Sequence, residues 1–179
     1  MKKELQKVEI EISHDKKEKN DLVSSADNYL KVAIQQYGMA LTTASASGDC
    51  YKHVFRLLSL WFQNSDDDIE EIICEWLAQL STHYFVPLVY QIFSRVDSTD
   101  NAFQTTLRNL VTKICIDHPY HSLMQLCALA NGDKVQAKRL VNTDKVAAVK
   151  KIIERIHIQG NTFTSNLLDS YVLLSTAYH

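Results

Sequence analysis

Apolar residues recur three and four positions apart along nearly the whole chain, the spacing of helices that each bury one face. Leu5, Val8 and Ile12 begin such a stripe. It falters at Asp15 and Lys19, then resumes cleanly at Val23, Ala26, Leu30, Ala33, Tyr37 and Ala40. This heptad-like seam predicts one long helix, or two in line, lying along a neighbour, with a coiled-coil dimer as the alternative. Ser45–Asp49 breaks the pattern, with Gly48 the expected stop and Asp49 a cap for the next helix. Val54, Leu57, Leu58, Trp61 and Phe62 make the second face. After the short break Asn64–Ser65–Asp66, a third face runs through Ile69, Ile72, Ile73, Trp76, Leu77 and Leu80. Acidic residues crowd Asp66–Glu75, mostly in the first turns, where they complement the helix dipole.

Ser81 or Thr82 opens the next break. Pro87 is tolerable only in a first turn, which predicts a helix starting there and carried by Leu88, Ile92, Phe93 and Val96. Asp97–Asp100 is a polar turn before the stripe Phe103, Leu107, Leu110, Val111 and Ile114. Pro119 suits a first helical position, with His118 before it as the boundary. Leu123, Leu126, Cys127 and Ala130 follow, and Asn131–Gly132 predicts a left-handed stop. One more helix runs from Thr143 through Ile156 to near Gly160. A last one runs from about Asn161, with Phe163, Leu167, Leu168, Tyr171 and Leu174 on its face. Eight or so helices with short loops must pack antiparallel in succession. The expected fold is all-α, an α-solenoid of antiparallel helical hairpins of the TPR/HEAT-like kind, each pair roughly 35–40 residues. A closed helical bundle is the competing architecture.

Composition narrows this further. A chain of 179 residues that is 46% apolar suggests one domain, with two small ones as the alternative, and a core that needs no staples. Only four glycines and two prolines disfavour a β-sandwich, a barrel or a doubly wound sheet, all of which need many tight turns. A net charge of −2 provides no field for nucleic acid or an anionic membrane. No apolar run approaches the ~20 residues of a spanning helix. The first twenty residues are charged and mixed in sign, so the expectation is an intracellular chain that is not secreted. The basic stretch Asp133–Arg155, with Lys138–Arg139 and Lys150–Lys151, lacks aromatic residues for base stacking. It reads as a solvated face, with docking of an acidic partner as the alternative.

Candidate chemistry is sparse. Cys50, Cys74, Cys115 and Cys127 form no CxxC pair and read as reduced, mostly buried thiols. Asp117-His118-Pro119-Tyr120-His121 is the tempting cluster, but zinc needs three or four ligands. It reads as a polar helix start. Gly38, Gly48, Gly132 and Gly160 are isolated, so no backbone cradle for phosphate is expected, and neither GxxxxGK nor a DFG triplet occurs. The reading is therefore no catalytic residue, no cofactor and no metal. A small Cys/His enzyme and a free-standing helical adaptor are the other classes.

Three blocks in order resemble the FAT domain of the phosphatidylinositol-3-kinase-related protein kinases. They are Val54-Phe55-Arg56-Leu57-Leu58-Ser59-Leu60-Trp61-Phe62-Gln63-Asn64-Ser65, Phe85-Val86-Pro87-Leu88-Val89-Tyr90-Gln91, and Asp117-His118-Pro119-Tyr120-His121 followed by Leu129-Ala130-Asn131. The resemblance covers most of the chain and is strongest over residues 51–132. It implies an α-solenoid that wraps and restrains a serine/threonine kinase domain in a large nuclear protein of DNA-damage signalling. It divides the chain into a long amphipathic helical segment 1–45, FAT-like hairpins 46–132, and C-terminal helices 133–179 leading toward a kinase domain. That kinase domain and the neighbouring solenoid are the implied partners, with homodimer contacts, no direct nucleic acid and no membrane. The chain ends about where the kinase amino-terminal lobe would begin, which implies a fragment of a longer product or a partial gene. The matching positions Phe55, Arg56, Leu57, Trp61, Pro87, Leu88, Asp117, His118 and Pro119 are all expected to be structural. Trp61 and Phe62 would anchor a hairpin, Pro87 and Pro119 would fix helix starts, and Arg56 would pair with a carboxylate of the next hairpin.

Overall fold

The computed structural model of the chain describes residues 2–43, 50–64, 66–131 and 143–177. Among them it is helical throughout, with no strand. The helices are α1 (Lys2–Thr43), α2 (Cys50–Gln63), α3 (Asp67–Gln79), a 3-10 helix (Thr82–Leu88) running into the short α4 (Val89–Ser94), α5 (Ala102–Asp117), α6 (Pro119–Ala130), α7 (Thr143–Gln159) and α8 (Thr162–Ala177). Alternate helices stack. α1 packs on α3, α3 on α5 and α5 on α7, while α2 packs on the 3-10 helix, α4 on α6 and α6 on α8. Two layers of hairpins in sequence are the signature of a solenoid.

Local chemistry explains the boundaries. The Asp66 carboxylate accepts from the Ile69 amide at 2.9 Å and opens α3, whose first turn holds Asp67, Asp68 and Glu70. Asn101 and Asn161 open α5 and α8 in the same way, accepting from the amides of Gln104 (2.7 Å) and Thr164 (2.8 Å). The expected caps at Gly48 and Asp49, the Gly132 stop, and Lys138–Arg139 lie outside the described residues. Asn131 itself ends α6 at φ −99°, ψ 9°, which is not left-handed.

Two expectations are corrected. The buried line of α1 is Ile34, Gly38 and Leu41, with Leu30, Ala33, Tyr37 and Ala40 only half-buried beside it and Val23 and Ala26 exposed. A seam read against one neighbour is rotated because α1 lies on two helices, α2 and α3. Gly38 permits this. A Cβ there would fall inside the van der Waals shell of the Trp76 ring. Pro87 also does not open a helix. It sits inside the 3-10 helix, and α4 begins at Val89, whose amide bonds back to the Val86 carbonyl. The ring fixes φ while the missing N–H costs one weak 3-10 bond, so the segment remains a tight corner and the α-helix is short.

Candidate functional site

Three clusters gather most of the singled-out residues. The first is the seam between α2 and α3. Leu57 and Trp61 are fully buried, as expected of a stripe recurring at helical spacing. The Trp61 ring lies 5.2 Å from both Phe62 and Phe103, and Phe62 meets Phe103 edge-on at 6.0 Å. The Trp61 indole N–H donates to Glu70 Oε1 at 2.6 Å, and Glu70 is itself buried. Burial holds the Glu70 carboxyl above the ordinary carboxylate range, against the hydrogen bonds from the Trp61 and Thr106 side chains.

The second cluster is an open groove of about 300 Å³ between α2 and α4. Phe55, Leu58, Ser59, Phe62, Gln91 and Arg95 line it. Phe55 is half-exposed there, so this motif residue faces the groove and not the core. The Arg95 guanidinium stands 5.3 Å over the Phe62 ring, a cation–π contact that shapes one wall. Arg56 is exposed and makes no ion pair among the described residues, which corrects its expected pairing across hairpins.

The third cluster joins the 3-10 corner to the α5–α6 corner. The Thr82 hydroxyl donates to Asp117 Oδ2 at 2.7 Å, and His118 Nε2 lies 3.0 Å from the same hydroxyl oxygen. A hydroxyl has one proton, so Nε2 is the protonated nitrogen and donates in turn. Burial pushes His118 below its ordinary value while Asp117 opposes the shift, which fits a neutral ring. Pro119 takes the first position of α6, but the His118 side chain makes no capping bond. Its role is therefore tertiary. Leu88 is half-buried against the core beside the same corner.

Burial pushes the Cys115 thiol up to about 12 and Cys127 to about 11, far from thiolate chemistry. Cys50 is buried and Cys74 exposed, and none of the four cysteines is in a disulfide. His14, Asp15 and Glu18 bring ligand atoms within 4.8 Å of one another, fully on the solvent face of α1. No helix among the described residues is long and apolar enough to cross a membrane. Sequence reasoning missed Glu70, Thr82 and Gln104. The last is a buried amide that accepts from the Asp97 amide (2.9 Å) and donates to the Arg95 carbonyl (2.8 Å), tying the turn to α5. Their partners are distant in sequence or lie in an irregular turn, so no local pattern marks them.

No model of a known protein family matches the chain. It is 33% identical to the serine/threonine-protein kinase ATM of Arabidopsis thaliana, covering 96% of this chain and 5% of that protein. It is 32% identical to the serine/threonine-protein kinase tel1 of Neurospora crassa, covering 76% of this chain and 5% of that protein. Its fold matches CtTel1 in the open conformation with TM-score 0.80 at 25% identity, over 92% of this chain and 6% of that one. It matches the CtTel1 dimer with C2 symmetry at 0.78, over 92% of this chain and 6% of that one, and the FAT and kinase domain of CtTel1 at 0.70, over 82% and 10%. The chain thus spans only about one-twentieth of these protein kinases in length. Sequence and fold together make it a FAT-like helical segment of the ATM/Tel1 family.

Proposed function

We propose that this chain is the non-catalytic FAT-type scaffold segment of an ATM-like serine/threonine kinase. In this reading it holds and restrains a kinase domain, without a cofactor of its own, in a nuclear protein of DNA-damage signalling. The observation that carries the reading is the match to the FAT and kinase domain of CtTel1 over 82% of this chain. The residue chemistry supports it. The polar side chains brought together here, Trp61–Glu70, Thr82–Asp117–His118 and Gln104, each tie one helical hairpin or corner to another. Hydrogen bonds that fix the angle between hairpins suit a frame that must hold a second body in place. The kinase domain and the adjoining solenoid are the proposed partners, and contacts between two copies of the whole kinase a further one.

The test adds the purified chain to the isolated kinase domain of an ATM/Tel1 relative and follows peptide phosphorylation. Saturable binding with a changed basal rate is expected. A chain that neither binds the domain nor alters its rate overturns the reading. The open groove at Phe55 and Arg95 favours the free-standing adaptor as the second reading, because a trough lined by Phe55, Leu58 and Phe62 beside Gln91 and Arg95 suits an amphipathic helix. Capture of helical peptides, lost in Phe55→Ala, without any kinase-domain binding would select it.

A further inference from the structure

We propose that the pocket between α7 and the segment leading into α5 binds the phosphate group of a small phosphomonoester. The site is independent of the kinase-scaffold reading. Its walls belong to elements packed on one another, α5 on α7. The pocket holds about 300 Å³ and is lined by Ser98, Asp100, Arg108, Lys151, Ile152 and Arg155. That volume is at the lower end of small-ligand sites. Three cations therefore meet there against one carboxylate. Lys151 and Arg155 come from the basic stretch whose sequence reads as a solvated face. Four positions apart on α7, they share one flank of that helix and join Arg108 of α5.

The two guanidinium groups are oriented but not neutralised. Arg108 Nε donates to the Gln104 carbonyl at 3.1 Å and Nη2 to the Thr99 carbonyl at 3.5 Å, and its side chain is only 14% exposed. Arg155 Nη1 donates to Asn109 Oδ1 at 3.1 Å. All these acceptors are uncharged oxygens, so they fix the forks and leave the positive charge in place. A guanidinium has five donors, and these bonds use two on Arg108 and one on Arg155. Asp100 stands 3.8 Å from Arg108 Nη2 with its own side chain fully exposed, where water screens it. Lys151 and Arg155 have no ion pair among the described residues. Clustered like charges repel, and a dianion among them turns the repulsion into attraction. A phosphomonoester carries about −1.5 to −2 charge and three strong acceptor oxygens, enough for two forks and an ammonium. A carboxylate, with one charge and two oxygens, satisfies a single fork. Ile152 supplies an apolar wall for the carbon atoms that carry the phosphate. The whole chain has a net charge of −2, so the attraction is local to this pocket.

The test titrates the full 179-residue chain with O-phosphoserine and with inorganic phosphate in a calorimeter. Saturable one-to-one binding of both is expected, weakened by added salt, with none for serine. Arg155→Gln should weaken it about tenfold or more, and Arg108→Lys, which keeps the charge but loses the fork, by a similar factor. Lys151→Gln should weaken it severalfold. Lys16→Gln removes the same charge from the exposed side of α1 and should leave binding unchanged. Lys151 and Arg155 are on the surface, so their variants fold even where Arg108→Lys loosens the segment before α5. Absence of saturable binding overturns the proposal. So does an equal loss in Lys16→Gln, which would make the effect one of net charge. A phosphoserine peptide that binds far more tightly than O-phosphoserine would mean a surface for a phosphorylated protein and overturns the small-ligand assignment.

Discussion

The hairpin stack from α2 to α6 and the outer part of α1 are both amphipathic helix, yet they are built in opposite ways. In the stack, apolar stripes are closed by neighbours on several sides, and polar groups inside the seams are hydrogen-bonded across helices. In outer α1 the stripe is open, and its charged members have no partner in the same chain among the described residues. The difference shows that periodicity specifies a helix and a face but not whether that face is filled. What fills it depends on the length of the element relative to its neighbours. α1 outruns α2 and α3, so only its carboxy-terminal third is buried.

The largest effect that can test this contrast lies at Trp61. Trp61→Ala removes a fully buried ring, its contacts with Phe62 and Phe103, and the donor on Glu70. A loss of about 3–5 kcal/mol is expected from the cavity alone. Urea unfolding measures it, and an unchanged midpoint would mean that the stack is no better packed than the overhang. Next comes the junction between the two regions. Gly38→Ala puts a methyl group into the Trp76 ring, and overpacking of this kind costs about 1–3 kcal/mol, partly offset by alanine's better helix propensity. Thermal melting should fall by several degrees, whereas alanine at an ordinary helical glycine would raise it.

How far the sequence revealed these sites follows from the range of each interaction. Trp61 was legible because Val54, Leu57 and Leu58 share its helix face. Glu70 was not. It sits in a first turn rich in acids, where the dipole explains an acidic residue fully, and only a tryptophan nine positions earlier shows that it is buried. The bond from Thr82 to Asp117 spans 35 positions and leaves no local mark. Pro87 predicts a helix start because α-helices admit proline in the first turn. The chain instead used a 3-10 corner, in which proline is cheaper. The α1 seam was found, but its buried line was set by two neighbours that no single-helix pattern contains.

The two polar ties in the stack should titrate with opposite signs. For Glu70 the folded value is raised, so the folded state holds the proton more tightly than the unfolded chain. Stability through this group is present at low pH and is lost as pH rises from the ordinary carboxylate range through the raised value. For His118 the folded value is lowered, so its contribution is present above the ordinary histidine range and is lost as pH falls from that range through the lowered value. Glu70→Gln should remove the first slope from a stability-versus-pH curve, and His118→Ala the second. At neutral pH His118→Ala should cost about 0.5–1.5 kcal/mol, the net worth of the hydrogen bond to Thr82. A single-signed curve unchanged by both substitutions would show that neither group is held as described.

The smallest effect is expected at Ile10, and it separates the open helix from the closed stack most sharply. Ile10 is the same kind of residue as Ile73 or Ile114, but it is 65% exposed while they are buried. It also lies off the stripe of Ile12 and Leu22, on the other side of α1. Ile10→Ser removes almost no buried area and exchanges two residues of similar helix propensity, so stability should change by less than about 0.5 kcal/mol. The same substitution at Ile114 should cost several kcal/mol, because it opens a cavity and buries an unpaired hydroxyl. Equal melting temperatures for the two variants would erase the distinction between the regions.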